Sequence, residues 1–167
     1  MRNFIYIVAI FISLIVSSSC SKSDESTTFM NATVNDEVLE LAISQAKISK
    51  IATGTDTDSI VSLIISGAKT DFSKAFIFNL ELTSTDTGKF YFNEQTNKIK
   101  LLQASYAEDT LTFYSLKSVA VAQHSYLSIT AISKSNVKGT FAFMAACDTK
   151  PDSIIIVSRG SFSAPIK

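Results

Sequence analysis

The fold class that the sequence predicts is all-β: an antiparallel β-sandwich or closed β-barrel of about ten short strands. Three observations predict it. Apolar side chains recur at every second position in several short runs. Clusters of turn-forming residues separate those runs at intervals of about ten residues. Neither proline, Pro151 or Pro165, interrupts a run.

In chain order, the first element is not part of that domain. One cation, Arg2, precedes an apolar segment from Phe4 to Val16, the pattern of the charged start and short apolar middle of an export signal. A membrane-spanning helix needs about 20 apolar residues, and this segment is shorter. Ser17, Ser18 and Ser19 then lead into Cys20, which resembles the lipobox at which bacterial lipoproteins are cut and acylated on cysteine, with Ser17 where Leu or Val is usual. The expectation is a signal peptide over residues 1–19 and a lipid anchor at Cys20. Each buried methylene contributes about 0.8 kcal/mol, so two or three acyl chains on one cysteine hold a protein at a membrane. Residues 20–27 read as the acylated cysteine and a flexible tether, because SKSDESTT is polar and has nothing to pack. The pair Asp24 and Glu25 resembles the signal by which some Gram-negative lineages send lipoproteins to the cell surface. The bland alternative is a soluble linker.

Residues 28–167 form the expected single domain, long enough to bury nearly 70% of its unfolded surface, a share typical of about 150 residues. Without residues 1–19 the 15 basic and 15 acidic side chains become 14 and 15, a net charge of −1. No basic stripe remains to neutralise phosphates, so nucleic acid is not an expected partner. With Cys20 acylated, Cys147 has no partner in the chain, and the sparse cysteines argue against a disulfide scaffold.

NDEVLELAISQAKISKIA, from Asn35 to Ala52, has two readings. Val38, Leu41, Ala42 and Ala46 suit one face of a helix capped by Asn35 or Asp36. The same stretch suits a hairpin turned at Asn35-Asp36, with ATV before and EVLELAI after. Further on, AFIFNLEL (Ala75 to Leu82) sets Phe76, Phe78, Leu80 and Leu82 against Ile77, Asn79 and Glu81, the signature of a half-buried strand. KFYFN (Lys89 to Asn93), TLTFYS (Thr110 to Ser115), YLSITAIS (Tyr126 to Ser133) and GTFAFMAAC (Gly139 to Cys147) repeat the alternation with β-branched and aromatic residues. STDTG, NEQTN, AED, KSNVKG and DTKPD separate them, and all five glycines are expected in or beside such breaks.

FMNATVNDEVLEL, TSTDTGKFYF, and KGTFAFMAA followed by IIIVSRGSFSAPI resemble a family of small uncharacterised bacterial lipoproteins. Its members carry Val-Asn-Gly early, where this chain has Asp36, and close with a Gly-Thr-Phe strand paired to one ending in Gly-x-Phe. The resemblance implies one all-β domain and the hairpin reading of Asn35 to Ala52. It implies no catalytic residues.

Few side chains invite chemistry. His124 is the lone histidine, so no histidine-rich zinc site can form. A His124–Cys147 dyad is the enzymatic alternative, since a thiolate beside an imidazole is a nucleophile. Cys147, however, continues the row Phe141, Phe143, Ala145, where cysteine serves as a small buried hydrophobe. Asp56 and Asp58 in TGTDTDS have alternating oxygens but lack the glycine and distal glutamate of a calcium loop. Adjacent Glu108 and Asp109 make a poor acid/base pair. There is no tryptophan, but Tyr91, Tyr106, Tyr114 and Tyr126 each carry a ring and a hydroxyl, and Tyr91 and Tyr114 fall on the face opposite Phe90, Phe92 and Phe113. Tyr91 and Tyr114 are the candidate binding surface, with ordinary strand propensity as the bland alternative.

The expectation is therefore a non-enzymatic binding or structural module without metal or cofactor. It is held at the outer membrane through Cys20, on the periplasmic face or the cell surface, with an unidentified protein or glycan partner. A barrel carrying a small apolar ligand among its phenylalanine rows is the alternative.

Overall fold

A computed structural model of the chain describes residues 27–52, 59–84, 87–92, 99–116 and 125–167. Residues 1–19, Cys20, the pair Asp24 and Glu25, the Asp56 and Asp58 turn, and His124 lie outside the described residues. Within them the period-two runs become eleven strands: β1 (Phe29–Val34), β2 (Glu37–Leu41), β3 (Ile43–Ala52), β4 (Ser59–Ala68), β5 (Lys74–Leu82), β6 (Gly88–Tyr91), β7 (Ile99–Glu108), β8 (Leu111–Ser115), β9 (Tyr126–Ile132), β10 (Asn136–Cys147) and β11 (Ile154–Pro165). The fold is all-β, as the alternation predicts.

The segment with two readings is a hairpin followed by a corner. Asn35 and Asp36 have φ of 46° and 69°, the pair of positive values that a two-residue type I′ connection requires. Asp36 adopts this conformation where glycine would do so without strain. Asn35 also anchors the turn across the sheet: its N–H donates to Ile156 O at 3.0 Å, and its Oδ1 accepts from Ile156 N–H at 2.9 Å. Between β2 and β3 the chain bends at Ala42, and the inward row steps from Leu39 and Leu41 to Ser44 and Ala46.

That corner nearly closes the barrel. The strands pair in the order β2-β1-β11-β10-β8-β7-β5-β4-β3, so β2 and β3, consecutive in the chain, occupy opposite ends of the sheet. Strand pairing is antiparallel throughout, and one isolated parallel bridge, Ala46 to Ile166, brings β3 to the end of β11. β10 has a divided second edge: Val137 to Ala142 pair with β9, and Ala145 to Cys147 pair with β8. β6 pairs with β9 and completes that branch.

The inward rows meet as aromatic rings. Phe78 and Phe141 have centroids 4.7 Å apart, Phe76 and Tyr106 4.9 Å, Phe76 and Phe141 5.4 Å, and Phe92 and Phe143 5.9 Å. Such pairs each add about 0.5–1.5 kcal/mol beyond the area they bury. Two glycines make room for this cluster. Gly139 lies opposite Phe162 and Gly160 opposite Phe141 on adjacent β10 and β11, so each phenyl ring covers the other strand's glycine. A Cβ at Gly160 would stand 2.4 Å from the Phe141 ring, and one at Gly139 2.6 Å from that of Phe162.

The expectation that every glycine sits at a break is thus corrected. Gly67, Gly139 and Gly160 lie inside β4, β10 and β11, where the Met30 side chain, the Ser128 carbonyl with the Phe162 ring, and the Phe141 ring occupy the space a Cβ would need. The KSNVKG turn is likewise shorter than expected. Asn136 to Gly139 are already strand, and the turn is held by the Ser133 hydroxyl, which accepts from Asn136 N–H at 2.9 Å.

Candidate functional site

The outer face of β10 is flanked by three exposed large side chains, Tyr114, Ile154 and Ile156. Along this strand Phe141, Phe143, Ala145 and Cys147 point inward and are buried, so Ala142, Met144 and Ala146 point outward. Register then dictates the neighbours. Tyr126 lies opposite Ala142, and Tyr91 opposite Tyr126. Tyr114 and Ile154 flank Ala146 from either side, and Ile156 flanks Met144. Tyr114, Ile154 and Ile156 are 42%, 48% and 53% exposed, an apolar patch with phenol hydroxyls at its margin.

The two tyrosines singled out in the sequence therefore share this face but differ in access. Tyr114 presents its ring to solvent. Tyr91 is half-buried, and Lys89 Nζ lies 5.2 Å from its centroid and 3.9 Å from that of Tyr126. Cation–π contacts of this kind contribute about 0.5–1 kcal/mol at exposed sites and keep other groups off the ring faces. Tyr126 carries no alternation signal of its own beyond that of its strand. Its place beside Tyr91 is a matter of β6–β9 register.

Tyr106 is not part of any surface, which corrects its expected availability. It is fully buried beside Phe76, and its hydroxyl has no hydrogen-bond partner. Burial, then the charge of Glu108, push its pKa up to about 12. Above it Lys74 Nζ stands 2.8 Å from Glu108 Oε1 and 3.6 Å from Glu37 Oε2, which ties β5 to β7 and to β2 across one mouth of the barrel. Hydrogen bonding to Glu108 holds the Lys74 pKa above its ordinary value. Glu108 is therefore an ion-pair partner, whereas Asp109 sits in the β7–β8 turn with φ of 52°. Local patterning cannot reveal this three-residue tie, because Glu37, Lys74 and Glu108 lie far apart in the chain.

Cys147 is 2% exposed and ends β10 against Phe113. Its Sγ lies 3.5 Å from Thr149 Oγ1. Hydrogen bonding from Thr149 lowers the thiol pKa and outweighs the opposing effect of burial, so the raised value expected of an apolar site does not arise. Its proposed partner His124 lies outside the described residues. Among the described residues, no three of His, Cys, Asp and Glu gather as a metal site requires, and no helix is long and apolar enough to cross a membrane. Among the described residues the outer face offers contact: rings, branched aliphatics and hydroxyls.

Comparison with protein-family models, with curated proteins and with solved structures found no match to this chain.

Proposed function

We propose that the chain is an exported, lipid-anchored module of the cell envelope that binds a protein or glycan partner through the outer face of β10. The observation that carries this reading is the exposure of Tyr114, Ile154 and Ile156 on adjoining strands, while the barrel interior is occupied by its own rings. Large apolar side chains on a water-facing surface lower solubility unless a partner covers them. The carrier alternative draws less support, since Phe76, Phe78, Phe141 and Phe143, the side chains that would line a ligand cavity, pack on one another. The anchor rests on Cys20 at the end of the apolar segment, and the tether on the polar residues after it. The outer-membrane position rests on Asp24 and Glu25, which resemble the sorting signal of some Gram-negative lineages.

Fractionation of cells carrying two variants tests both parts. Cys20→Ser is expected to leave the membrane fraction or to remain uncut. Tyr114→Ser/Ile154→Ser/Ile156→Ser is expected to stay membrane-anchored but to lose co-sedimentation with detergent-insoluble envelope material. A Cys20→Ser protein that is processed and still membrane-bound overturns the anchor. Unchanged co-sedimentation of the triple variant overturns the binding face.

A further inference from the structure

We propose that the free edge of β3, with the groove beside it, binds an extended acidic segment of another polypeptide, which joins the sheet as an added strand. The proposal is independent of the outer face of β10. It begins from the place where barrel closure stops. Ala46 is bridged to Ile166, and its carbonyl accepts from Lys167 N–H at 2.9 Å. Backbone groups alternate between the two edges of a strand, so the N–H and C=O of Ile48 and Lys50 face the same side as those of Ala46. Among the described residues β3 pairs only with β4, and beyond Ala46 no strand meets that side. An extended chain is the partner that satisfies a row of such groups.

The groove supplies a seat for its side chains. Gln45, Ala46, Lys47, Ile64, Ser66 and Lys167 line a space of about 370 Å³. Lys47 lies opposite Ile64, which is 38% exposed, and Gln45 lies opposite Ser66. Lys47 and Ile64 are a cross-strand pair on one face, so a strand continuing the track of β11 would set every second side chain beside Lys47 and the others beside Ile48. The volume suits a few side chains and is near the lower bound of about 300 Å³ for small-molecule pockets.

Charge selects the partner. Among the described residues the ion pairs are those of Lys74, so Lys47 and Lys167, which line the groove, have no side-chain carboxylate within salt-bridge distance. In the outward rows that cross β3, β4 and β5, the carboxylate met is Glu81, two strands from the edge. Lysines on an open edge repel a second copy of that edge, the usual protection against self-pairing, and attract a strand that alternates glutamate or aspartate with apolar residues.

The test uses the full chain and a fluorescein-labelled eight-residue peptide alternating valine and glutamate, read by anisotropy. Saturable binding is expected. It should weaken about tenfold or more when lysine replaces glutamate in the peptide, and likewise when every second peptide nitrogen is methylated. Ile48→Pro removes an N–H that faces the open edge and spares the β3–β4 ladder, so it should weaken binding while far-UV circular dichroism is unchanged. If that variant does not fold, Lys47→Glu carries the test, with preference switched toward the lysine peptide. Tyr114→Ser should leave binding as it is. The proposal is overturned by absence of saturable binding, by equal affinity for the methylated peptide, or by a dimer of the chain itself that Ile48→Pro dissolves.

Discussion

Replacing Gly160 by alanine tests the account of the core most directly. Gly160 lies outside the left-handed region, so the backbone accepts alanine and the penalty is steric. The new methyl would stand 2.4 Å from two carbons of the Phe141 ring and 2.6 Å from a third. Carbon atoms rest at about 3.5–4.0 Å, so the ring must retreat by roughly 1 Å or more. It has nowhere to go, because Phe78 and Phe76 hold it at centroid distances of 4.7 and 5.4 Å, and Phe162 at 6.3 Å. Overpacking of a rigid core costs about 1–3 kcal/mol, and the clamp places Gly160→Ala near 3. Phe141→Leu alone should cost about 1.5 kcal/mol through lost packing. In the double variant the smaller side chain leaves room for the methyl, so the total should be about 2 kcal/mol, and the two changes should couple by more than 2. Urea unfolding followed by far-UV circular dichroism measures all three. Tyrosine emission is a second probe, since the chain has no tryptophan. Costs that add within about 0.5 kcal/mol would refute the seat, because independent sites behave that way.

Further outcomes are expected at Tyr106, Asp36 and Cys147. Tyr106→Phe removes a buried hydroxyl that has no partner, so it should stabilise the fold by about 1 kcal/mol in urea titrations, and a loss of that size would show a bond to Glu108. The folded pKa of Tyr106 is raised to about 12 from 10.0, so its contribution is complete below pH 10 and is lost as pH rises to about 12. The phenylalanine variant should lack roughly 1–2 kcal/mol of that alkaline loss, and parallel curves for the two proteins would remove Tyr106 as its source. Asp36→Gly should raise stability by about 0.5–1 kcal/mol, because φ of 69° strains aspartate and not glycine, and a lower melting temperature would contradict the turn assignment. Thiol reagents at neutral pH should modify Cys147 slowly in the folded chain and quickly in urea, and Thr149→Val should raise the pH at which the folded thiol reacts. Fast labelling of the folded protein would instead mark the thiol as accessible to substrate.

The legible parts of the fold are those where one face is wet and the other dry. β5 and β10 alternate cleanly, and both were read from their phenylalanines. β4 was not named, because Ile60 and Ile64 sit on its outer face and blur the period. The corner at Ala42 explains the rival helix. The helical face of Val38, Leu41, Ala42 and Ala46 is divided there, because Leu41 and Ala46 are buried while Val38 and Ala42 are exposed. A glycine that admits a phenyl ring looks in sequence like a glycine that admits a turn, so Gly139 and Gly160 were assigned to breaks. At the outer face, alternation alone placed Tyr91 and Tyr114 away from the core. That Ile154 and Ile156 stand beside Tyr114 depends on which strands flank β10, and a local pattern holds no information about strand order.

The pairing of β1 with β11 fixes when the domain can finish. Asn31 and Ser161 touch at 2.6 Å across 130 residues of chain, and the β1–β2 hairpin has no other neighbour in the sheet order. A chain released amino end first can assemble β3, β4 and β5 as soon as they emerge, since those contacts are local. The opening hairpin must wait, solvated on one edge, until the final strand arrives to receive it. Closing so long a loop is entropically costly and slow, so completion of the barrel waits on β11 and the unfinished chain stays pliable until then. Loss of the residues after Gly160 would therefore unfasten β1, so that an error in β11 is felt 130 residues earlier in the chain.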